Sequence, residues 1–209
     1  MTSASRTWTY TYTALGQVSS IDGPRSDVAD TTQLTYYACT SGGQCGQLAT
    51  VTDAAGNLTT YSSYDQNGQP LTITDPNGTI ATLTYDARQR LTSRAVGGET
   101  TAIEYWPTGL LKKVTLPDGS VVAYEYDDAH RLTKITDTDG NSIRYTLDTA
   151  GNRIAEGIYD AADTLVLSRT RTVDALGRAT ADVGAAGQTA SRTYVSDHPA
   201  ALLTRWVES

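Results

Sequence analysis

Apolar and polar residues alternate with a period of two along most of the chain. Ile143, Tyr145 and Leu147 fall on one side, Ser142, Arg144 and Thr146 on the other. Val122, Tyr124 and Tyr126 oppose Ala123 and Glu125 in the same way. The alternating segments run about six residues and are rich in Thr, Tyr, Val, Ile and Leu, which suit a pleated, half-buried surface. No stretch repeats apolar residues at helical spacing, so no helix is predicted. Leu132 and Ile135 break strict parity, which predicts a β-bulge beside the preceding turn.

The segments are punctuated at a fixed interval. Tyr64, Tyr85, Tyr105, Tyr126 and Leu147 recur every 20 or 21 residues. The fullest copies are Tyr85-Asp86-Ala87-Arg88-Gln89-Arg90-Leu91, Tyr126-Asp127-Asp128-Ala129-His130-Arg131-Leu132 and Leu147-Asp148-Thr149-Ala150-Gly151-Asn152-Arg153. Tyr64-Asp65 with Gly68, and Tyr105 with Gly109, fill the same slots, and Val173-Asp174 with Gly177 follows at a longer interval. Tyr12 begins a degenerate copy, Tyr37 a copy lengthened by a Cys-bearing loop, and Val195-Ser196-Asp197-His198-Pro199 a frayed one. Residues 159–163 read as a turn insertion in the long copy. A second turn lies inside each repeat, as Asp53-Ala54-Ala55-Gly56, Asp75-Pro76-Asn77-Gly78, Pro117-Asp118-Gly119 and Asp137-Thr138-Asp139-Gly140.

Asp opens such a turn by accepting N–H bonds from the residues after it. Gly three positions on supplies the positive φ of a type I turn with a G1 bulge. Arg88-Gln89 and Ala129-His130 replace that Gly in two copies, and those positions must adopt a left-handed conformation or change the turn type. Two strands and two turns account for the period, so the predicted fold is all-β, an antiparallel meander of repeated β-hairpins. Each anchor Tyr returns on every second strand, about 9.6 Å from the last. Roughly sixteen strands exceed the about ten that an open twisted sheet holds without curling. The sheet is therefore expected to curl, spiral or pack against another molecule. Its raw edges predict self-association.

Composition narrows the function. The chain has 209 residues, 39 % hydrophobic and 19 % charged, with 13 Tyr and no Phe. A thick dry core is not expected, because nearly every aromatic carries a hydroxyl. The net charge of −7 disfavours nucleic acid and anionic membrane surfaces. No apolar run approaches the ~20 residues of a membrane helix, so no membrane insertion is expected. The N-terminal residues carry no apolar stretch of a signal peptide. Cys39 and Cys45 flank a Gly-rich loop that could close as a small disulfide, the alternative being two free thiols.

At this point the repeat resembles the RHS or YD repeat family. The Tyr-Asp-x-x-Gly-Arg-Leu anchor at a ~21-residue period, followed by Asp-x-x-Gly, carries the resemblance from about Thr9 to about His198. The resemblance implies a β-strip that spirals into a hollow shell, as in bacterial polymorphic toxins, insecticidal toxin complexes and teneurin-like proteins. It further implies a secreted or cell-surface bacterial protein, with neighbouring repeats of a longer chain or an enclosed polypeptide as partners. The toxin branch has paired Asp-Pro-x-Gly elements near its end, and here Asp75-Pro76-Asn77-Gly78 is a mid-chain turn. Residues 1–209 are thus expected to be about eight repeats of shell wall, truncated at both ends.

Catalytic and cofactor readings find little support. His130 sits in a turn and His198 precedes Pro199, neither with a spaced nucleophile. Asp137-Thr138-Asp139-Gly140-Asn141 starts like a calcium loop but lacks the distal Glu, with Ala150 near that place. Most acids occupy turn slots, and no Gly-rich loop leads from a strand into a helix. No catalytic, metal or cofactor site is expected. Mechanical enclosure is the leading expectation, and a surface-binding module using the Tyr face or rim loops for glycan or protein is the alternative.

Overall fold

The computed structural model describes residues 6–39, 41–194 and 203–208. Among them are eighteen strands and no helix. The chain divides into two compact units, Met1–Ala102 and Ile103–Ser209. The first holds β1 (Thr9–Tyr12), β2 (Val18–Asp22), β3 (Thr31–Tyr36), β4 (Leu48–Thr52), β5 (Leu58–Tyr64), β6 (Pro70–Thr74), β7 (Ile80–Tyr85), β8 (Leu91–Val96) and the start of β9 (Glu99–Tyr105). The second holds the end of β9, then β10 (Leu111–Thr115), β11 (Val121–Tyr126), β12 (Leu132–Thr136), β13 (Ser142–Leu147), β14 (Arg153–Tyr159), β15 (Leu165–Val173), β16 (Ala179–Val183), β17 (Thr189–Tyr194) and β18 (Leu203–Glu208).

From β1 to β9, and again from β10 to β18, each strand pairs antiparallel with its successor, so the fold is the all-β meander that the alternation predicts. The predicted bulge is present. Tyr126 pairs with Leu132 while Glu125 pairs with Lys134, leaving Thr133 as the extra residue. The same shift recurs at Tyr12, Tyr36, Tyr85, Leu147 and Val173. One end of each repeat therefore carries a bulge that re-aims its side chains.

Register separates two faces. In the first unit Ile21, Leu34, Val51, Ile73 and Leu83 share one face, across which Leu34 opposes Val51. The other face is hydroxyl-bearing and self-paired: Thr35 meets Thr50 at 2.5 Å, Ser63 meets Thr72 at 2.8 Å, and Thr84 meets Ser93 at 2.8 Å. In the second unit Val114 faces Val122, and Ile143 lies between Ile135 and Ile158. Leu83 is the single buried hydrophobic residue among those described, and no described side chain is fully enclosed. Both faces of this one-layer sheet meet water, which is why hydroxylated Tyr and Thr serve where a closed core would take Phe and Leu.

Two details differ from the sequence reading. Tyr36, not Tyr37, ends β3 as the anchor, and Tyr37 occupies the turn-opening slot, bonded through its N–H to the Gln47 carbonyl. Residues 160–164 form an ordinary repeat turn, not an insertion: the Asp160 N–H bonds the Thr164 carbonyl, as Asp75 does with Thr79. The longer interval resides in β14, which has seven residues, and β15, which has nine. The frayed copy at 195–199, with His198, lies outside the described residues.

Gln89 and His130 do adopt the left-handed conformation, with φ of 65° and 63°. A side chain there costs about 1–2 kcal/mol, against the ~0.5–1 kcal/mol of extra chain entropy that Gly would lose on folding. Gln89→Gly and His130→Gly are each expected to stabilise the fold by about 0.5–1 kcal/mol, read as a higher midpoint in urea. A lowered midpoint for both would show the side chains make up for the strain.

Candidate functional site

In each unit the residues that recur in sequence gather along one rim, where β3, β5 and β7 end in the first unit and β9, β11, β13 and β15 end in the second. Tyr64, Tyr85, Tyr105, Tyr126 and Leu147 are the last residues of their strands. Asp65, Asp86, Asp127, Asp148 and Asp174 each open the turn that follows, and Gly68, Gly109, Gly151 and Gly177 take its positive φ. Within each unit the structure sets them out as a row and does not converge them on one point.

Each Asp closes its own turn. One Asp86 oxygen accepts the N–H groups of Arg88 and Arg90 at 2.8 and 3.0 Å, and the other accepts the Arg90 guanidinium at 2.8 Å. Asp127 does the same with Ala129 and Arg131, and Asp174 with Leu176 and Arg178. Asp148 uses Asn152 in place of Arg. These bonds favour the ionised form. Side-chain bonds from Arg90, Arg131 and Asn152, with backbone N–H groups, hold Asp86, Asp127 and Asp148 below the ordinary carboxylate value. Asp137, the calcium-like position, spends its oxygens on Asp139, Asn141 and the Asn141 amide, which is turn chemistry. No group of three or more metal-ligating side chains occurs among the described residues.

The anchor tyrosines tie one repeat to the one before it. Tyr36 Oη donates to the Val18 carbonyl at 2.8 Å, Tyr64 to Leu48 at 2.6 Å, Tyr85 to Pro70 at 3.0 Å and Tyr194 to Ala179 at 2.8 Å. In every case the acceptor is the first residue of the strand preceding the anchor's own. Burial pushes the Tyr64, Tyr85 and Tyr126 phenols up, so they stay protonated donors. The residue after the turn Gly slot reaches the other way: Gln17 to the Gly46 carbonyl at 2.7 Å, Gln69 to Gln89 at 2.8 Å, and Arg131 to Asp148 at 3.1 Å. This also explains Gly at the next turn. A Cβ on Gly68 would lie 2.3 Å from Gln47 Nε2, and one on Gly177 would lie 2.9 Å from Asn152 Oδ1.

Removing one phenol hydroxyl leaves a carbonyl without that partner. Tyr64→Phe, Tyr85→Phe and Tyr194→Phe are each expected to cost about 0.5–1.5 kcal/mol. The triple variant should cost close to the sum, since the sites lie in separate repeats. Urea midpoints check this, and unchanged stability in all three would remove the stitching role.

Cys39 and Cys45 are disulfide-bonded in the loop between β3 and β4. That loop packs on the next turn, because a Cβ on Gly43 would run into the Asp65 carbonyl. Tyr37 also meets the Tyr64 ring edge-on at 6.3 Å. His130 shares an open hollow with Trp106, Tyr126 and Asp128. The Trp106 indole N–H reaches the Tyr124 carbonyl at 3.3 Å.

A second cluster has no signature in the repeat. Asp182, on β16, is 6 % exposed. Arg171 Nε lies 2.6 Å from one oxygen, Arg192 contacts the other, and Arg169 stands 3.7 Å away. Burial pushes the Asp182 carboxyl up, bonds from Arg171 and Arg192 pull it down, and the balance lies below the ordinary value. Four charged residues on three strands look unremarkable in sequence, and only the register of Arg171 with Asp182 unites them.

Comparisons with known proteins follow the same geometry. The RHS Repeat family matches residues 46–80, 64–101, 105–142 and 126–162, more than half of the chain. No curated protein matches in sequence. The fold is similar to solved structures of TcdB2-TccC3 with Cdc42 (17 % identity, TM-score 0.61) and of TcdB2-TccC3 alone (18 %, 0.61). It is also similar to a Photorhabdus luminescens Tc holotoxin pore with a mutated TccC3 (17 %, 0.61). In each case the match covers 98 % of this chain and 14 % of the other, so this chain spans a small part of those proteins.

Proposed function

This chain belongs to the RHS repeat family, and on that premise we propose that it forms part of the wall of a shell enclosing a polypeptide. The observation that carries this reading is the stitched single-layer sheet. Within each unit successive strands pair, anchor tyrosines and turn side chains bond adjacent repeats at the rim, and no described side chain is fully enclosed. A ladder of this kind excludes macromolecules mechanically and asks for no reacting group. The likeness to toxin-complex structures supports delivery in a larger secreted bacterial protein. Further repeats on both sides would continue the sheet, with the disulfide fastening the lengthened loop. β1, with Trp8 beside it and Tyr10 and Tyr12 within it exposed, offers an edge for such a neighbour or a second copy.

The test is limited proteolysis of the full gene product that carries these repeats. Non-repeat segments are expected to resist trypsin while the repeats are folded, and to be cleaved once they unfold. Rapid cleavage of those segments while the repeats remain intact would overturn enclosure.

A further inference from the structure

The apolar face changes character across β14, β15, β16 and β17. Arg169 and Arg171 alternate on β15 and share the face of Asp182, which pairs with Arg171. Glu156 opposes Arg169. Ala190 opposes Asp182, which puts Arg192, two residues on, on that face as well. Arg153 stacks on the Tyr145 ring at 3.8 Å and bonds Glu156 at 3.2 Å. Four guanidinium groups therefore surround two carboxylates, a local surplus of two positive charges in a chain of net charge −7.

Both Asp182 oxygens are engaged by Arg171 and Arg192. Arg169 stands 3.7 Å off, 54 % exposed. It lies between two hollows. One is lined by Arg153, Glu156, Arg171 and Asp182, the other by Leu167, Ala185, Gln188 and Ala190. Leu167, 40 % exposed, is the apolar surface on the face of Arg169. The array is a cationic pocket with an apolar shoulder, and the strands beneath are paired on both sides, so recognition falls to side chains.

We propose that this surface binds an extended acidic peptide, with a carboxylate on Arg169 and an apolar side chain two residues along, on the same side of the peptide, on Leu167 and Ala190. A surplus of two charges suits one or two carboxylates. The continuous phosphate charge of a nucleic acid would run past this local surplus onto the acidic remainder of the chain, whereas a short peptide need not. The inference does not depend on enclosure, because binding is measured on this chain in solution and not through protection of a cargo.

The experiment is fluorescence anisotropy of a labelled peptide repeating Glu-Ser-Leu-Ser, which places Glu and Leu on the same side when extended, with a Lys-Ser-Leu-Ser peptide for comparison. The acidic peptide is expected to bind and the basic one not, with affinity falling as salt rises. Arg169→Gln is expected to weaken binding about tenfold, as for loss of one charge-assisted contact. Arg25→Gln, in the first unit, should change nothing. Arg153→Gln gives a second reading if Arg169→Gln disturbs folding, and should also weaken binding. Equal binding of both peptides, no binding of either, or equal affinity of the Arg169 and Arg25 variants would overturn the proposal. So would an effect of Arg169→Gln on sedimentation alone, which would assign the surface to a second copy of the chain.

Discussion

Asp182→Ala is expected to destabilise the second unit by about 2–3 kcal/mol, less than the ~3–5 kcal/mol for breaking a fully buried ion pair, because the arginines are partly solvated. The carboxylate accepts from Arg171 Nε at 2.6 Å and from Arg192. Without it those guanidiniums lose their counter-charge while Arg192 stays 19 % exposed. The energetic asymmetry gives the test its force. Removing one partner strands the others, whereas replacing the whole group by apolar residues of similar size restores much of the loss. Asp182→Leu combined with Arg171→Leu and Arg192→Leu should therefore unfold at higher urea than Asp182→Ala alone. An Asp182→Ala midpoint equal to wild type would show the cluster is held by backbone pairing only.

Acid should loosen the whole repeat array at once. Asp53, Asp86, Asp127, Asp137 and Asp148 are all held below the ordinary carboxylate value, each chiefly by the side chain four residues on, Asn or Arg. At Asp174 burial pushes upward, but the backbone and side chain of Arg178 overcome it. A carboxylate with a depressed folded pKa stabilises the fold above its unfolded value and loses that contribution as pH falls through the folded value. Stability should be nearly flat from neutral pH down to about 5 and drop steeply below about 4, where the unfolded carboxylates take up protons first. Because the same turn recurs in repeat after repeat, the losses accumulate. Urea midpoints measured from pH 7 to 3 test this, and a flat profile across that range would mean the Asp bonds add nothing beyond the turn backbone. Asp127→Asn should lessen the drop, since it keeps an acceptor without the titration.

What could be read from the sequence was whatever depends on neighbours along the chain. Alternation fixed the strands, and Asp with Gly three residues on fixed the turns. The slot that Gln89 and His130 fill asks for a left-handed residue or another turn type, of which the first is adopted, and the parity break at Leu132 and Ile135 marks the bulge that Thr133 provides. These are local: φ, ψ and the first hydrogen bonds of a turn are settled within about five residues. The adjacent Tyr36 and Tyr37 show the limit. Either could end β3 on composition, and the lengthened Cys loop hides the interval that would decide between them. The choice is made by pairing, which sets Tyr36 against Leu48 and sends its hydroxyl to Val18, 18 residues away. The tertiary structure alone decided which carbonyl each Tyr meets, why Gly68 and Gly177 also need room for a neighbour's side chain, and that Asp182 gathers arginines from β15 and β17. A strand's own residues state which side each faces; what stands opposite depends on the register of other strands, and a one-residue slip there would send every such side chain to the other face.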